Sequence, residues 1–359
     1  VGRLALLVNT TGAQNTAVGA LSLDANTTGD QNTGLGVEAL GSNTTASDNT
    51  AVGFNSLGAN TTGASNTALG YRASQSNTTA SDNTAIGFCA MRATTTGATN
   101  VSIGVNSMAE NTTGCQNVVV GVSGLQCNTS GCQNIVMGLQ AMRFNQTGDF
   151  NTALGHLALC KNTTADNNTA VGFEALKANT TGAQNTGIGR IALLDTTTGQ
   201  GNTAVGNQAG QGVTTGDNNL TLGSEAGRSS SPFNLTTQDN RMILGDNSIT
   251  NFYAKVALTV TSDLRDKTEI ADVPHGLDFV DKLKPVSFKF KKSREDNTPT
   301  GTKHYGFLAQ DILELEGDNN VIIDNEQSDH LKYKGEHLVP VLVNAIKELT
   351  ARIKELEDK

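Results

Sequence analysis

A strict internal repeat of 17 residues constrains the fold of this chain more than any other feature. Asn recurs at this interval through thirteen repeats, each time with Gly four positions later, in the consensus N-T-A-V-G-x-x-A-L-x-x-N-T-T-G-x-x. So short a period, with β-branched segments punctuated by glycine, predicts one β-solenoid coil per repeat. The recurrent residues are Asn15, Asn32, Asn49, Asn66, Asn83, Asn100, Asn117, Asn134, Asn151, Asn168, Asn185, Asn202 and Asn219.

Composition supports a regular but thinly filled core. Only 36% of the 359 residues are hydrophobic and 4% are aromatic, which argues against a large conventional core, while 16% charged residues are too few for typical disorder. Because side chains alternate along a strand, the aliphatic fourth position, as in Val18, faces away from the small third and fifth positions. We expect the same column of other chains, arranged around an axis, to cover this fourth position, and the ninth position, as in Leu23, to form a second apolar column.

Charge divides the chain into two unlike parts. Residues 1–261 carry 24 charged side chains, whereas 262–359 carry 35 in 98 positions. We therefore assign 1–228 to the solenoid shaft, 229–261 to a degenerate last coil and connecting β stem, and 262–359 to a C-terminal domain. Neither part is net basic, so no nucleic-acid surface is predicted. No apolar run is long enough for membrane insertion, and the chain, which begins inside a repeat, is expected to be a fragment.

The recurrent polar residues have structural and functional interpretations. Asn-x-Thr is a glycosylation signal, but we favour an asparagine ladder that bonds along the stack. Adjacent threonines, as in Thr27 and Thr28, would face opposite ways on a strand, which argues against an ice-binding array. Cys115 and Cys132 share one repeat position in consecutive coils. We expect free thiols in a reducing cytoplasm, with a disulfide as the alternative. No metal site and no cofactor is predicted.

The C-terminal segment has its own periodicities. Residues 286–292 alternate apolar and polar, as a strand does. The last 20 residues carry apolar side chains at alternating spacings of three and four, a heptad seam that requires partner helices. The seam includes Leu342, Ile346, Leu349, Ile353 and Leu356.

Three short motifs in this segment carry a family resemblance. They are S-D-x-R-x-K from Ser262, G-F-x-A-Q from Gly306, and A-I-K-E-L from Ala345. With them, 262–359 resembles the C-terminal intramolecular chaperone and autoprocessing domain of phage tail fibres and tailspikes, of the endosialidase type. The repeat resembles, more loosely, the β-roll heads of trimeric autotransporter adhesins, which end in a membrane barrel; this chain ends in charged residues.

The resemblance implies a self-cleaving site at the start of the domain. Ser262 would be the nucleophile, Lys267 its base, and the bond between Thr261 and Ser262 the one that is cut. A lysine serves as a base only when desolvation or a nearby cation lowers its pKa, so we expect Lys267 to be exposed in the monomer and buried after assembly. Supporting roles in holding the turn or packing beside it fall to Asp263, Arg265, Gly306, Phe307 and Gln310.

The overall prediction is an all-β repeat followed by a small α+β domain with a long coiled-coil helix. It describes a homotrimeric virion fibre or spike, made in the host cytoplasm, that meets a glycan or protein receptor on a host cell. Any enzymatic activity is a single self-cleavage. The alternative is a secreted or cell-surface solenoid adhesin or ice-binding module with a permanently attached trimerisation domain.

Overall fold

The structure is a computed structural model. It describes residues 2–229, 231, 233–249, 251–255, 262–291, 296–318, 320–326 and 328–359. The chain separates into two compact units, Val1–Ser248 and Ile249–Lys359.

The first unit is a parallel β-solenoid, which confirms the predicted fold class. Each repeat gives one three-residue strand to a fourteen-stranded sheet whose strand order follows the sequence. Thr16 pairs with Thr33 and Val18 with Leu35, so equivalent repeat positions lie side by side. The strands are β1 (Thr16–Val18), β2 (Thr33–Leu35), β3 (Thr50–Val52), β4 (Thr67–Leu69), β5 (Thr84–Ile86), β6 (Val101–Ile103), β7 (Val118–Val120), β8 (Ile135–Met137), β9 (Thr152–Leu154), β10 (Thr169–Val171), β11 (Thr186–Ile188), β12 (Thr203–Val205), β13 (Leu220–Leu222) and β14 (Met242–Leu244).

The solenoid core is built from three columns of apolar side chains. The third repeat position, as in Ala51, the eighth, as in Ala73, and the ninth, as in Leu57, are completely buried. The fourth position points outward, with Val18 45% exposed and Leu69 46% exposed. The predicted opposition of the third and fourth positions is therefore confirmed, and the fourth-position column lies uncovered on the single chain.

Glycine at the fifth repeat position is required for two reasons. Gly19 has φ +139°, a conformation that residues with a side chain rarely adopt, and a Cβ there would collide with the carbonyl group of Gly36 in the next coil. The close approach at this position joins consecutive coils, because equivalent glycines stack directly on one another.

Two asparagine ladders run along the solenoid, which confirms the structural interpretation of the repeat. In the first, Asn32 Nδ2 donates to Asn15 Oδ1 at 3.1 Å and to the carbonyl of Ala46 at 2.8 Å. In the second, Asn43 Nδ2 donates to Asn26 Oδ1 at 2.9 Å and to the same carbonyl at 3.0 Å. Asn26, Asn32 and Asn43 are completely buried, and an amide engaged in this way is not available for glycosylation in the folded chain.

The paired threonines lie in bends and not in strands. Thr27 Oγ1 donates to the carbonyl of Thr44 in the next coil at 3.0 Å, whereas Thr28 is exposed. The argument from alternation along a strand therefore does not apply at these two positions. The hydroxyls of the first threonine column donate hydrogen bonds to the next coil. The two threonine columns therefore do not form the flat paired array that ice binding would need.

The second unit is a small α+β domain. It contains the helices α1 (Leu277–Val280), α2 (Ala309–Glu316) and α3 (Leu338–Glu357), the antiparallel pair β15 (Val286–Lys291) with β16 (Pro299–Gly306), the short antiparallel pair β17 (Ile323–Asp324) with β18 (Lys332–Tyr333), and 3-10 turns at Leu264–Asp266 and Gly335–His337. The strand predicted at 286–292 is confirmed as β15 up to residue 291, and residue 292 lies outside the described residues. The domain core consists of Phe279, Ile312, Ile322, Ile323, Leu338 and Val341.

Helix α3 has one buried and one uncovered apolar face. Leu338, Val341 and Ala345 are buried within the domain. The predicted heptad seam lies on the helix as expected, but it is solvent-exposed: Ile346 is 63% exposed and Leu356 is 71% exposed. A single chain therefore leaves the seam without a partner.

Candidate functional site

The candidate site lies at the first residues of the C-terminal domain. Asp263 caps the 3-10 turn Leu264–Asp266 by accepting a hydrogen bond from the Arg265 backbone N–H at 2.9 Å. Across this turn, Lys267 Nζ lies 2.7 Å from Ser262 Oγ and donates a hydrogen bond to it. The structure thus brings together the two residues predicted as nucleophile and base.

The Asp263 carboxylate also holds the Arg265 guanidinium. Arg265 Nε donates to Oδ1 at 3.0 Å and Nη2 to Oδ2 at 2.5 Å, a bidentate arrangement. Hydrogen bonds from the Arg265 side chain and backbone lower the pKa of the Asp263 carboxyl below its usual value. These contacts fit the predicted role of both residues in holding the turn.

Exposure determines what the Ser262–Lys267 pair can do in a single chain. Both residues are exposed. A serine hydroxyl becomes a useful nucleophile only when a neighbouring base takes its proton, and desolvation is the main means by which a lysine becomes such a base. In the single chain Lys267 donates a hydrogen bond to Ser262 and does not accept its proton. For Lys267 to act as a base, another surface would have to cover the pair and exclude water.

The G-F-x-A-Q residues serve the domain core and the start of α2. Gly306 ends β16, where a Cβ would press against the Phe288 ring at 3.2 Å. Phe307 packs against the core, with its ring centroid 6.0 Å from that of Tyr333, and Gln310 lies in the first turn of α2. Within the described ranges, no hydrogen bond joins these residues to the Ser262–Lys267 pair. Thr261, on the other side of the predicted scissile bond, lies outside the described residues.

Sequence reasoning missed a polar contact between the A-I-K-E-L segment and α1. Glu348 Oε2 accepts a hydrogen bond from the Leu277 backbone N–H at 2.7 Å, and Asn344 Nδ2 donates to the His275 carbonyl at 2.9 Å. Gly276 leaves room for the Glu348 carboxylate, because a Cβ there would overlap it. The sequence did offer one sign of this contact. Asn344 and Glu348 are four positions apart, which places both side chains on one face of the helix.

A second missed residue is the buried carboxylate of Glu316. Its oxygens accept three backbone hydrogen bonds, from Val321 at 2.8 Å, Ile322 at 2.7 Å and Ile323 at 2.9 Å. Glu316 is only 8% exposed. It therefore fixes the loop between α2 and β17 to the end of the helix.

Comparison with known proteins finds a family similarity in part of the second unit. Residues 262–321 match the family model described as chaperone of endosialidase. The chain carries a C-terminal chaperone-of-endosialidase domain. The match begins at Ser262, the residue predicted as the first of the domain, and it includes the Ser262–Lys267 pair, the G-F-x-A-Q segment and Glu316. Searches of curated proteins and of solved structures returned no match to the chain.

The two units together indicate which class of protein this chain fits. A β-solenoid followed by a chaperone-of-endosialidase domain fits a tail-fibre-type protein with a C-terminal chaperone. Among the described residues, no helix has the length and apolarity that a bilayer crossing needs. The same residues contain no cluster of three or more His, Cys, Asp or Glu side chains suited to a metal ion.

Proposed function

We propose that this chain is part of a homotrimeric phage tail fibre or spike. Its solenoid would be displayed for attachment to a receptor on the host surface, and its C-terminal domain would drive trimerisation and then release itself by cleavage before Ser262. The single observation that carries the proposal is a chaperone-of-endosialidase domain attached to a parallel solenoid.

The uncovered seam of α3 supports assembly through this helix. Leu342, Ile346, Leu349 and Ile353 are 38%, 63%, 46% and 47% exposed in the single chain. Heptad positions of this kind are stabilised when they pack into the corresponding positions of partner helices. Three copies would remove this surface from water.

The outer surface of the solenoid supports contacts between copies along the shaft. The exposed fourth position is joined by apolar side chains at the sixth position, where Phe54, Tyr71 and Phe88 stack with ring centroids 5.4 and 5.1 Å apart. These rings are 40–50% exposed. Contiguous apolar surface of this kind is typical of interaction sites, and we infer that the same stripe of neighbouring protomers covers it.

The position of the Ser262–Lys267 pair supports cleavage that depends on assembly. The two side chains are already in hydrogen-bond contact, and a nucleophile next to its own target bond gains from proximity. Burial by neighbouring protomers would desolvate Lys267 and allow it to act as a base. Chains that have not assembled would then keep their chaperone.

Light scattering and mass spectrometry on the full chain test the proposal. We expect a mass about three times the 37.3 kDa protomer for uncut chains, and fragments 1–261 and 262–359 after incubation. Ser262→Ala and Lys267→Ala should give uncut trimers. A stable monomer would contradict the trimer, and fragments beginning at residue 262 from the Ser262→Ala protein would indicate an external protease.

A helix variant separates assembly from cleavage. Ile346→Ser, in the exposed seam, should yield monomers that remain uncut even though Ser262 and Lys267 are intact. Lys347→Ser, at the next exposed position of the same helix, is the matched control and should assemble and be processed as the parent. Efficient cleavage of monomeric Ile346→Ser protein would refute the dependence of cleavage on assembly. Binding of labelled trimers to host cells, competed by unlabelled trimers, tests attachment.

A further inference from the structure

Two cysteines are stacked on each other in the middle of the solenoid. Cys115 and Cys132 occupy the sixteenth repeat position in the coils that start at Asn100 and Asn117. Their Sγ atoms are 2.7 Å apart, and the Cys115 backbone N–H donates to Cys132 Sγ at 3.0 Å. The coils are held in register by the backbone bond from the Gln133 N–H to the Cys115 carbonyl at 3.0 Å.

Coil geometry places this pair within reach of a covalent bond. Equivalent residues of adjacent coils are separated by the spacing of neighbouring strands, roughly 4.8 Å, and disulfides form between residues whose Cα atoms are about 4.4–6.8 Å apart. Both residues are half-buried, so a small oxidant can reach them. The other three cysteines, Cys89, Cys127 and Cys160, occupy three different repeat positions, which makes this the one same-position pair in the sequence.

We propose that Cys115 and Cys132 form a reversible disulfide that fastens two consecutive coils when the protein leaves a reducing cytoplasm. The reaction is thiol–disulfide exchange with a small-molecule disulfide. One cysteine thiolate attacks that disulfide and expels a thiolate, and the second cysteine then attacks the mixed disulfide and expels the other. Two protein thiols are oxidised, one external disulfide is reduced to two thiols, and two protons leave the cysteines. The bond closes a covalent loop around one coil.

The surroundings of the pair predict how its oxidation depends on pH. Burial, together with the hydrogen bond between the two thiols, raises the pKa of Cys132 to about 11. The Asp149 carboxylate, which accepts a hydrogen bond from the Cys132 N–H at 2.6 Å, acts in the same direction. Because the attacking species is the thiolate, the rate of bond formation should rise steadily as the pH is raised from 7 towards 10.

Thiol counting on the folded full chain tests the proposal. The chain is incubated with oxidised glutathione, then denatured in the presence of a maleimide, which labels free thiols. We expect the number of labelled thiols to fall from the five of the chain to three, and to return to five after treatment with dithiothreitol. Serine is native to this repeat position, as in Ser47 and Ser81, so Cys115→Ser and Cys132→Ser should fold. Neither variant should form an intramolecular bond.

A third variant locates the bond. Trypsin releases residues 93–143 as one peptide that contains Cys115, Cys127 and Cys132. In Cys127→Ser protein this peptide should lose the mass of two hydrogen atoms on oxidation, and the loss should disappear when Cys115 is also replaced by Ser. Five free thiols after prolonged exposure to oxidised glutathione at pH 9, or a bond that requires Cys127, would overturn the proposal.

Discussion

Asn134 offers the most direct test of what holds the solenoid together. Its side chain is completely buried and makes four hydrogen bonds. Nδ2 donates to Asn117 Oδ1 and to the Gly148 carbonyl, both at 3.0 Å, and Oδ1 accepts from the Asn151 backbone N–H at 2.9 Å and from Asn151 Nδ2 at 3.2 Å. The ladder therefore passes through this residue in both directions.

The cost of Asn134→Ala follows from which groups lose their partners. The Gly148 carbonyl keeps the donor Asn145 Nδ2, and Asn151 Nδ2 keeps the Ala165 carbonyl. The Asn151 N–H loses its side-chain acceptor, and an orphaned buried N–H costs about 1–3 kcal/mol. Loss of each of the other three hydrogen bonds adds about 0.5–1 kcal/mol to the destabilisation, because their partner groups keep another hydrogen bond. We expect a local destabilisation of about 4 kcal/mol.

Hydrogen exchange measured by mass spectrometry is the appropriate assay, because solenoid stability is the sum of local coil terms. A loss of about 4 kcal/mol corresponds to an increase of roughly 1,000-fold in exchange through local opening. It should be confined to the coils that start at Asn117, Asn134 and Asn151. Asn207→Ala, at an exposed position of the same solenoid, is the control and should leave exchange unchanged. Equal exchange in both variants would refute the assigned role of the ladder.

Asn134→Asp gives the same test a pH signature. The carboxylate keeps Oδ1 as an acceptor but turns an oxygen towards Asn117 Oδ1 and the Gly148 carbonyl, which raises its pKa in the folded state above the unfolded value of about 3.9. Stability is therefore highest below about pH 4 and falls as the pH rises towards the folded pKa. A variant that is more stable at pH 8 than at pH 4 would contradict this reasoning.

Three further substitutions probe other features. Glu316→Gln should destabilise the C-terminal domain by about 2–4 kcal/mol in urea unfolding, because its amide would face a buried N–H; Glu314→Gln, exposed on the same helix, should have little effect. Thr99→Asn should stabilise the solenoid by about 1 kcal/mol in thermal unfolding, because Thr99 is β-branched at φ 59°, where another coil has Asn218. Gly276→Ala should displace Glu348 and increase amide exchange at the start of α1 about tenfold. Loss of stability in Thr99→Asn, no loss in Glu316→Gln, or unchanged exchange in Gly276→Ala would each contradict its prediction.

The sequence predicted those features that depend on periodicity. A 17-residue period fixes which residues stack, so the asparagine ladder, the outward fourth position and the buried ninth position could be derived without coordinates. The backbone conformation of the turns could not, because Leu23 and Leu57 adopt φ of 51° and 49° although leucine gives no sign of it. These residues accept an unfavourable conformation because it directs their side chains into the core.

In the candidate domain, contacts between residues close in sequence could be predicted, and contacts between residues far apart in sequence could not. Ser262 and Lys267 are five residues apart, and the capped turn between them is encoded by the intervening S-D-x-R segment. The contact between Leu277 and Glu348 joins residues 71 positions apart, and no local pattern pairs a particular backbone N–H with a particular carboxylate at that distance. The resemblance of this segment to the chaperone-of-endosialidase family likewise depended on motif order and not on a single local pattern.

The solenoid also bears on why a chain of this kind would need a chaperone. If copies of the chain pack through the fourth position as proposed, a slip of one coil would again place equivalent residues together at most coils, so most coils do not distinguish the correct register. Discrimination is concentrated where the core departs from the consensus. Val119 and Val136 replace the usual alanine, and Gly124 leaves the space they need, since a Cβ there would lie 3.0 Å from Val119 Cγ1 and 3.6 Å from Val136 Cγ1. Because register is encoded strongly at such coils and weakly elsewhere, a separate domain that aligns the chains before the repeats stack would supply information that the repeats lack, and it would no longer be needed once they have stacked.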